Sequence, residues 1–264
     1  MPSALRTAAR GPAWYLLAYA GAHALSASAR IDALAVYTLA FAAVAAITIH
    51  AALDTGCMLQ GRRGLPALLL ALVAVVAVAQ VLAPADALSI AVHGALLLGF
   101  ACSVGAVLGR EVVDPAHLWP LVVVAASADL FSVLAPAGVT RAILDGTAPV
   151  SLSAVVLHLP ITTDAPPAPL LGVGDLLFTG FLGGAAARLD LPPRRSVVGL
   201  AAGFATCLGG LLAVEVPLPA LPFLGVGFAL AHGARIRPRA RELALALGVA
   251  GLLGVLGATA LGGR

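Results

Sequence analysis

Two aspartates stand in stretches that otherwise carry no charge. Asp129 lies in Ala125-Ala126-Ser127-Ala128-Asp129-Leu130-Phe131, and Asp175 in Leu171-Gly172-Val173-Gly174-Asp175-Leu176-Leu177-Phe178. A charged side chain at the centre of a bilayer costs about 2.5–3.5 kcal/mol on insertion scales, so an acid in such a place marks a functional site and asks for a partner. Each aspartate is the best partner the sequence offers the other. Two carboxylates a few ångströms apart resist double ionisation and share a proton. Such a pair can hydrolyse a peptide bond, one acid acting as base on water while the other donates to the carbonyl oxygen. Its two titrations belong to the pair and not to either residue.

The neighbours of Asp175 fit that chemistry. Gly172 and Gly174 remove two side chains on either side of Val173, which lets another backbone approach and weakens the helix locally. A helical substrate must be unwound before it is cut, and a glycine-loosened wall can pair with an extended segment by strand addition. Further along, Pro219-Ala220-Leu221-Pro222 has two residues without an N–H, so a regular helix cannot run through it. Irregular backbone at membrane depth is tolerated where it lines a cavity or is buried in protein.

These residues must be positioned by membrane helices. The chain has 264 residues, of which 10% are charged, against about 25% in soluble domains. The charge is missing from long runs, which predicts a polytopic, all-α membrane protein in one integral domain, 1–264. A span needs about 20 apolar residues. Nine candidates follow: Pro12–Ala29, Ile31–Leu53, Leu65–Ala83, Ala87–Leu108, Leu118–Ala135, Pro169–Ala187, Ser196–Val214, Leu218–Ala234 and Leu243–Leu261. All fifteen basic residues are arginines. Arg6, Arg10, Arg62, Arg63, Arg110, Arg188, Arg194, Arg195, Arg235, Arg237, Arg239 and Arg241 fall on one side of this layout, and only Arg30, Arg141 and Arg264 on the other. The positive-inside rule then puts the N-terminus in the cytoplasm and the C-terminus outside. The lipid bilayer is the expected surroundings, and the arginines are topology anchors rather than a nucleic-acid surface.

Three features complete the pattern. Cys57, Cys102 and Cys207 are far apart and form neither a disulfide framework nor a zinc motif. His23, His50 and His93 do not share a helix at ligand spacing, so neither metal nor haem is expected. The interruption Ala137–Ala168 is proline-rich and long enough for a lid, and inside it Val150–Ile161 suits an interfacial helix, a re-entrant segment or a strand. Gly199/Gly203 and Gly251/Gly254 have the spacing of close helix packing.

Taken together, the motifs resemble the presenilin and signal peptide peptidase family of GxGD intramembrane aspartyl proteases. Gly172-Val173-Gly174-Asp175 is similar to its second catalytic motif, Pro219-Ala220-Leu221-Pro222 to its PALP motif, and Asp129-Leu130-Phe131 to the segment after its first catalytic aspartate. The resemblance covers roughly Leu118–Ala234. It implies a presenilin-like fold of a prokaryotic inner-membrane type, with N-terminal helices over 1–117, catalytic helices over 118–234 and an extra helix over 235–264. It also implies catalysis by Asp129 and Asp175 and substrate contacts from Gly172, Val173, Gly174, Pro219, Ala220, Leu221 and Pro222. The expected substrates are transmembrane peptides or signal-peptide remnants, with no cofactor. The sequence departs from the family at Ala128, where Tyr is usual, and in the apolar segment after the PALP motif. The orientation of the two aspartate spans matches signal peptide peptidase, which implies substrates whose N-terminus faces the cytoplasm.

Other readings use the same residues. The acids serve equally as a proton relay in a coupled transporter, or the chain is a scaffold that binds helices without cutting them. A prepilin-peptidase-like enzyme is disfavoured by the absence of paired CxxC motifs. Asp129 also reads as a structural acid, Asp175 as a helix N-terminal acid, and Pro219–Pro222 as a loop-to-helix junction.

Overall fold

The computed structural model describes residues 2–27, 33–58, 87–135, 138–144, 155–160, 168–214, 218–233 and 235–262. The expected span Leu65–Ala83 lies outside them. Nine α-helices occur among the described residues: α1 Pro2–Ala27, α2 Ala33–Met58, α3 Ala87–Gly109, α4 Leu118–Leu134, α5 Val139–Leu144, α6 Val173–Arg188, α7 Pro193–Val214, α8 Leu221–His232 and α9 Ala240–Gly262. Two short strands, β1 Val156–Leu159 and β2 Ala168–Gly172, pair antiparallel. Four helical stretches are long and apolar enough to cross a membrane: Leu34–Cys57, Ala87–Gly109, Pro115–Val133 and Pro193–Val214. The protein is therefore helical and of membrane character.

Two expected segments are only partly helical. Pro169–Ala187 opens as strand β2 and turns helical at Val173. Pro169 holds Ala168 extended, and pairing of Ala168–Gly172 with β1 keeps the chain in strand form up to Val173. Leu218–Ala234 holds a helix of 12 residues, because Pro219 keeps the first turn open. Within Val150–Ile161, the described part forms β1. Leu157 and Leu159 point inward and alternate with half-buried Val156 and His158, the period of a strand.

The chain divides into two compact units. The first contains Met1–Glu111 and Val155–Arg188; the second contains Val112–Ala154 and Leu189–Arg264. In the first, α6 packs against α2 and α3 through residues with little or no side chain. Gly180 and Gly184 of α6 lie on the backbone of Cys102 and Ala106, and Gly105 of α3 lies on the backbone at Leu177. Cys102 is fully buried there and acts as a small apolar residue.

In the second unit, α8 packs between α4 and α7, and α9 packs along α4. Gly199 and Gly203 meet the backbone of α8 at Gly227 and Phe223, whereas nothing lies within 4 Å of a Cβ placed on Gly251. Backbones this close leave no room for a side chain. Gly203→Leu is thus expected to lower the thermal midpoint of the purified protein by about 4 °C or more, from overpacking of about 1–3 kcal/mol or above. Gly251→Leu leaves it unchanged. Equal midpoints for the two variants would show that the α7–α8 contact is not tight.

One end of the second unit gathers its polar residues. Ser196 Oγ and His232 Nε2 lie 3.0 Å apart with both residues fully buried, joining the start of α7 to the end of α8. Arg239 pairs with Asp114 at 2.9 Å, and His117 lies 3.3 Å from Glu242, joining the starts of α4 and α9. Asp114 also caps the short turn Pro115–His117 by accepting the Ala116 N–H. That bond, with the Arg239 charge beside it, holds the Asp114 carboxyl below its ordinary value of 3.8. A depressed folded-state value stabilises the fold above the unfolded pKa, and the benefit is lost as pH falls through the folded value. Lowering the pH from 7 toward 3 is expected to lower the thermal midpoint of the wild type more than that of Asp114→Asn. Identical pH curves would remove Asp114 from the stability of this end.

Candidate active site

Asp129 sits in the fourth turn of α4 and is half-buried. Its Oδ2 accepts the N–H of Leu221 at 3.1 Å, across 92 residues of sequence. Leu221 is the first residue of α8, and the position before it is Ala220, which has no side-chain acceptor. A helix start leaves N–H groups without intrahelical partners and carries partial positive charge. The Asp129 carboxylate supplies what Ala220 cannot. Pro219 and Ala220 are buried, and Pro222 stands in the first turn of α8, where a missing N–H costs nothing. The structure thus brings Asp129 and the Pro-Ala-Leu-Pro element together. Lower on the same face, Gly225 of α8 abuts Val122 of α4, so the two helices run antiparallel. The residue before Asp129, Ala128, is exposed.

Asp175 belongs to the first unit. It stands in the first turn of α6, half-buried, and its Oδ2 accepts the N–H of Gly172 at 2.9 Å. This is the reach-back bond of a capping box, made here by an aspartate three residues into the turn. Gly172 closes β2, Val173 opens α6, and Gly174 is exposed. Thr179 Oγ1 donates to the Asp175 carbonyl at 2.7 Å. The helix-terminal reading of Asp175 and the junction reading of Pro219–Pro222 are therefore both realised, with a carboxylate at each helix start. Of the remaining expected residues, Val173 is half-buried.

Sequence reasoning missed the hairpin that delivers the chain to Gly172. Its register is Val156 opposite Gly172, Leu157 opposite Leu171, His158 opposite Pro169 and Leu159 opposite Ala168, with a bulge between Leu157 and His158. Leu170 and Leu171 are buried. Ala168-Pro169 gave no warning, because proline suits a first helical turn as well as an extended segment. It also missed Tyr15, a fully buried residue of α1 whose hydroxyl donates to the His158 carbonyl at 2.6 Å. Glu215, just before the Pro-Ala-Leu-Pro element in the sequence, lies outside the described residues.

Chemically, each carboxylate has one oxygen on a backbone N–H at a helix start, in a setting poor in other charge. Such a bond orients the carboxyl group. Among the described residues no three His, Cys, Asp or Glu side chains gather as metal ligands. In comparisons with known proteins, no family model, no curated protein and no solved structure matches the chain.

Proposed function

We propose that this protein is an intramembrane aspartic endopeptidase that cuts transmembrane segments or signal-peptide remnants, with Asp129 and Asp175 as its acid–base pair. The observation that carries the reading is the bond from Leu221 N–H to Asp129. It unites two motifs that the sequence marked separately, and it gives the Pro-Ala-Leu-Pro element the task of orienting a catalytic carboxylate.

Helix lengths are compatible with each acid lying at membrane depth. From Leu118 to Asp129, α4 climbs about 17 Å, and from Asp175 to Arg188, α6 descends about 20 Å. Both distances reach past the middle of a hydrocarbon core about 30 Å thick. With the arginine-bearing ends on the cytoplasmic side, each carboxylate lies within the membrane in this reading. The nine-span layout, with the N-terminus inside and the C-terminus outside in a prokaryotic inner membrane, belongs to this proposal.

In the proposed reaction the ionised aspartate takes a proton from water as the water oxygen attacks the scissile carbonyl carbon. The protonated aspartate gives its proton to the carbonyl oxygen. The resulting diol collapses as one hydroxyl gives its proton to the newly ionised aspartate, while the other aspartate passes the proton it took from water to the departing nitrogen; the C–N bond breaks and the pair returns to its starting state. An extended substrate adds as a strand to the outer edge of β2, so that its backbone groups find partners as its helix unwinds.

The test is incubation of the purified protein in liposomes with a transmembrane reporter peptide, in both orientations, with fragments identified by mass spectrometry. Two fragments divided within the apolar segment are expected. Failure to cut any reporter, together with proton-linked solute flux, would favour a carrier; failure with retained binding of reporter helices would favour a scaffold.

A further inference from the structure

The hairpin that leads into Asp175 contains an irregularity at one place, and a residue from far away is attached to it. Leu157 faces Leu171, but the next residue, His158, faces Pro169, so Leu170 is left without an opposite number. A bulge of this kind bends the strand, and it fixes the register of everything beyond it. It also creates a local difficulty. Pro169 has no N–H to offer the backbone opposite it, and a buried carbonyl without a donor is costly.

Tyr15 answers that need. Its hydroxyl donates to the His158 carbonyl at 2.6 Å, from a side chain that is 0% exposed. The ring is confined on one side by Gly94 of α3, where any Cβ would collide with it, and lies 6.4 Å from the ring of Tyr19. The imidazole of His158 is engaged locally, its Nδ1 lying 2.9 Å from the Val156 carbonyl. The attachment from α1 is therefore to the backbone, at the bulge itself. From there the constraints run through β2 to Gly172, whose N–H holds Asp175.

We infer that Tyr15 is a positioning residue of the proposed protease: it locks the bulge, and thereby selects which peptide bond of an extended substrate lies at Asp175. This rests on the proteolytic reading and on strand addition at β2. A strand that slips by one residue moves about 3.3 Å and turns every side chain to the other face. A loosened bulge therefore changes where the substrate is cut, and not only how fast.

The experiment is cleavage of one transmembrane reporter by wild type and Tyr15→Phe in liposomes, with every cut bond located by mass spectrometry and the thermal midpoint recorded beside it. Tyr15→Phe keeps the ring and removes only the hydroxyl. The expected result is a cut that spreads over neighbouring bonds, with kcat lower by about 10-fold and KM within about 2-fold, while the protein remains folded. Gly94→Ala, which crowds the same ring, is expected to spread the cut in the same way. His158→Ala, which keeps the carbonyl, leaves the main cut in place. A folded Tyr15→Phe that cuts the wild-type bonds in wild-type proportions overturns the inference and leaves the protease reading standing. So does a loss of activity that follows the thermal midpoint with the cut unchanged; if Tyr15→Phe does not fold, an unchanged cut in Gly94→Ala has the same meaning. If the wild type cuts no reporter at all, the protease reading falls and the inference falls with it.

Discussion

Asp129→Asn and Asp175→Asn each reduce cleavage of a transmembrane reporter by about 10³-fold or more, yet leave the thermal midpoint within about 2 °C of wild type. The first half of this expectation follows from acid–base catalysis, where a positioned proton donor or acceptor contributes about 10²–10⁴-fold, and where loss of either acid removes the shared proton. The second half follows from the bonds each carboxylate makes. Asn retains an oxygen able to accept from Leu221 N–H or Gly172 N–H, which are the bonds seen at Asp129 and Asp175, and Asn ranks with Asp as a helix cap. Asp129→Ala behaves differently. It leaves the Leu221 N–H without its acceptor, at a cost of about 1–3 kcal/mol, so stability and cleavage fall together. Carboxylates that served only as caps would give Asn variants with wild-type activity, if there were any activity to lose. Purified variants assayed side by side for fragments and for melting separate the two roles.

The substrate is expected to matter almost as much as the acids. A reporter with Gly-Gly placed at its cut region is cleaved roughly 10–100-fold more efficiently, in kcat/KM, than the same reporter with Leu-Leu there. The scissile bond of a membrane helix is covered by its own turn, and freeing it strips backbone groups of partners where no water replaces them. Glycine weakens a helix by about 1 kcal/mol per residue, so two of them lower the cost by about 2 kcal/mol, close to 30-fold. In the proposed reaction, strand addition at β2 supplies backbone partners for the unwound segment. Equal efficiency for the two reporters would place the barrier elsewhere and remove the need for strand addition.

How much of this was legible in the sequence differs from residue to residue. Asp129 and Pro219–Pro222 stood out because charge is scarce in apolar runs and because proline has an absolute effect on hydrogen bonding. Their meeting at Leu221 was implied by the resemblance of the motifs, and the spacing alone does not encode it. Gly199 and Gly203 read correctly as a packing stripe, since a helix that exposes backbone at every fourth residue invites a close neighbour. The hairpin was hidden. Ala168–Gly172 is as apolar as a span, and a five-residue strand cannot be told from buried helix by periodicity. Tyr15 was hidden for a different reason: it reaches a backbone carbonyl 143 residues away, and any residue type can supply a carbonyl. Arg239 was read only as an anchor of topology, although in the fold it also joins Asp114 and Glu242. The Asp114-Pro115 pair was a usable helix-start signal there.

The proposed function requires that the carboxylates of α4 and α6 work as one site. The most direct measurement is cross-linking in the membrane of a chain with Asp129→Cys and Asp175→Cys, with Cys57, Cys102 and Cys207 replaced by alanine. A disulfide requires Cα atoms about 4.4–6.8 Å apart, so oxidation and thiol reagents reaching up to about 8 Å cover the spacing of an acid–base pair. The expected result is an intramolecular cross-link between the two positions, found by mass spectrometry of the digested protein and absent from each single-cysteine chain. If both cysteines react singly with a small thiol reagent and no cross-link forms at any of these lengths, the two aspartates do not share a site, and the proposed mechanism is contradicted.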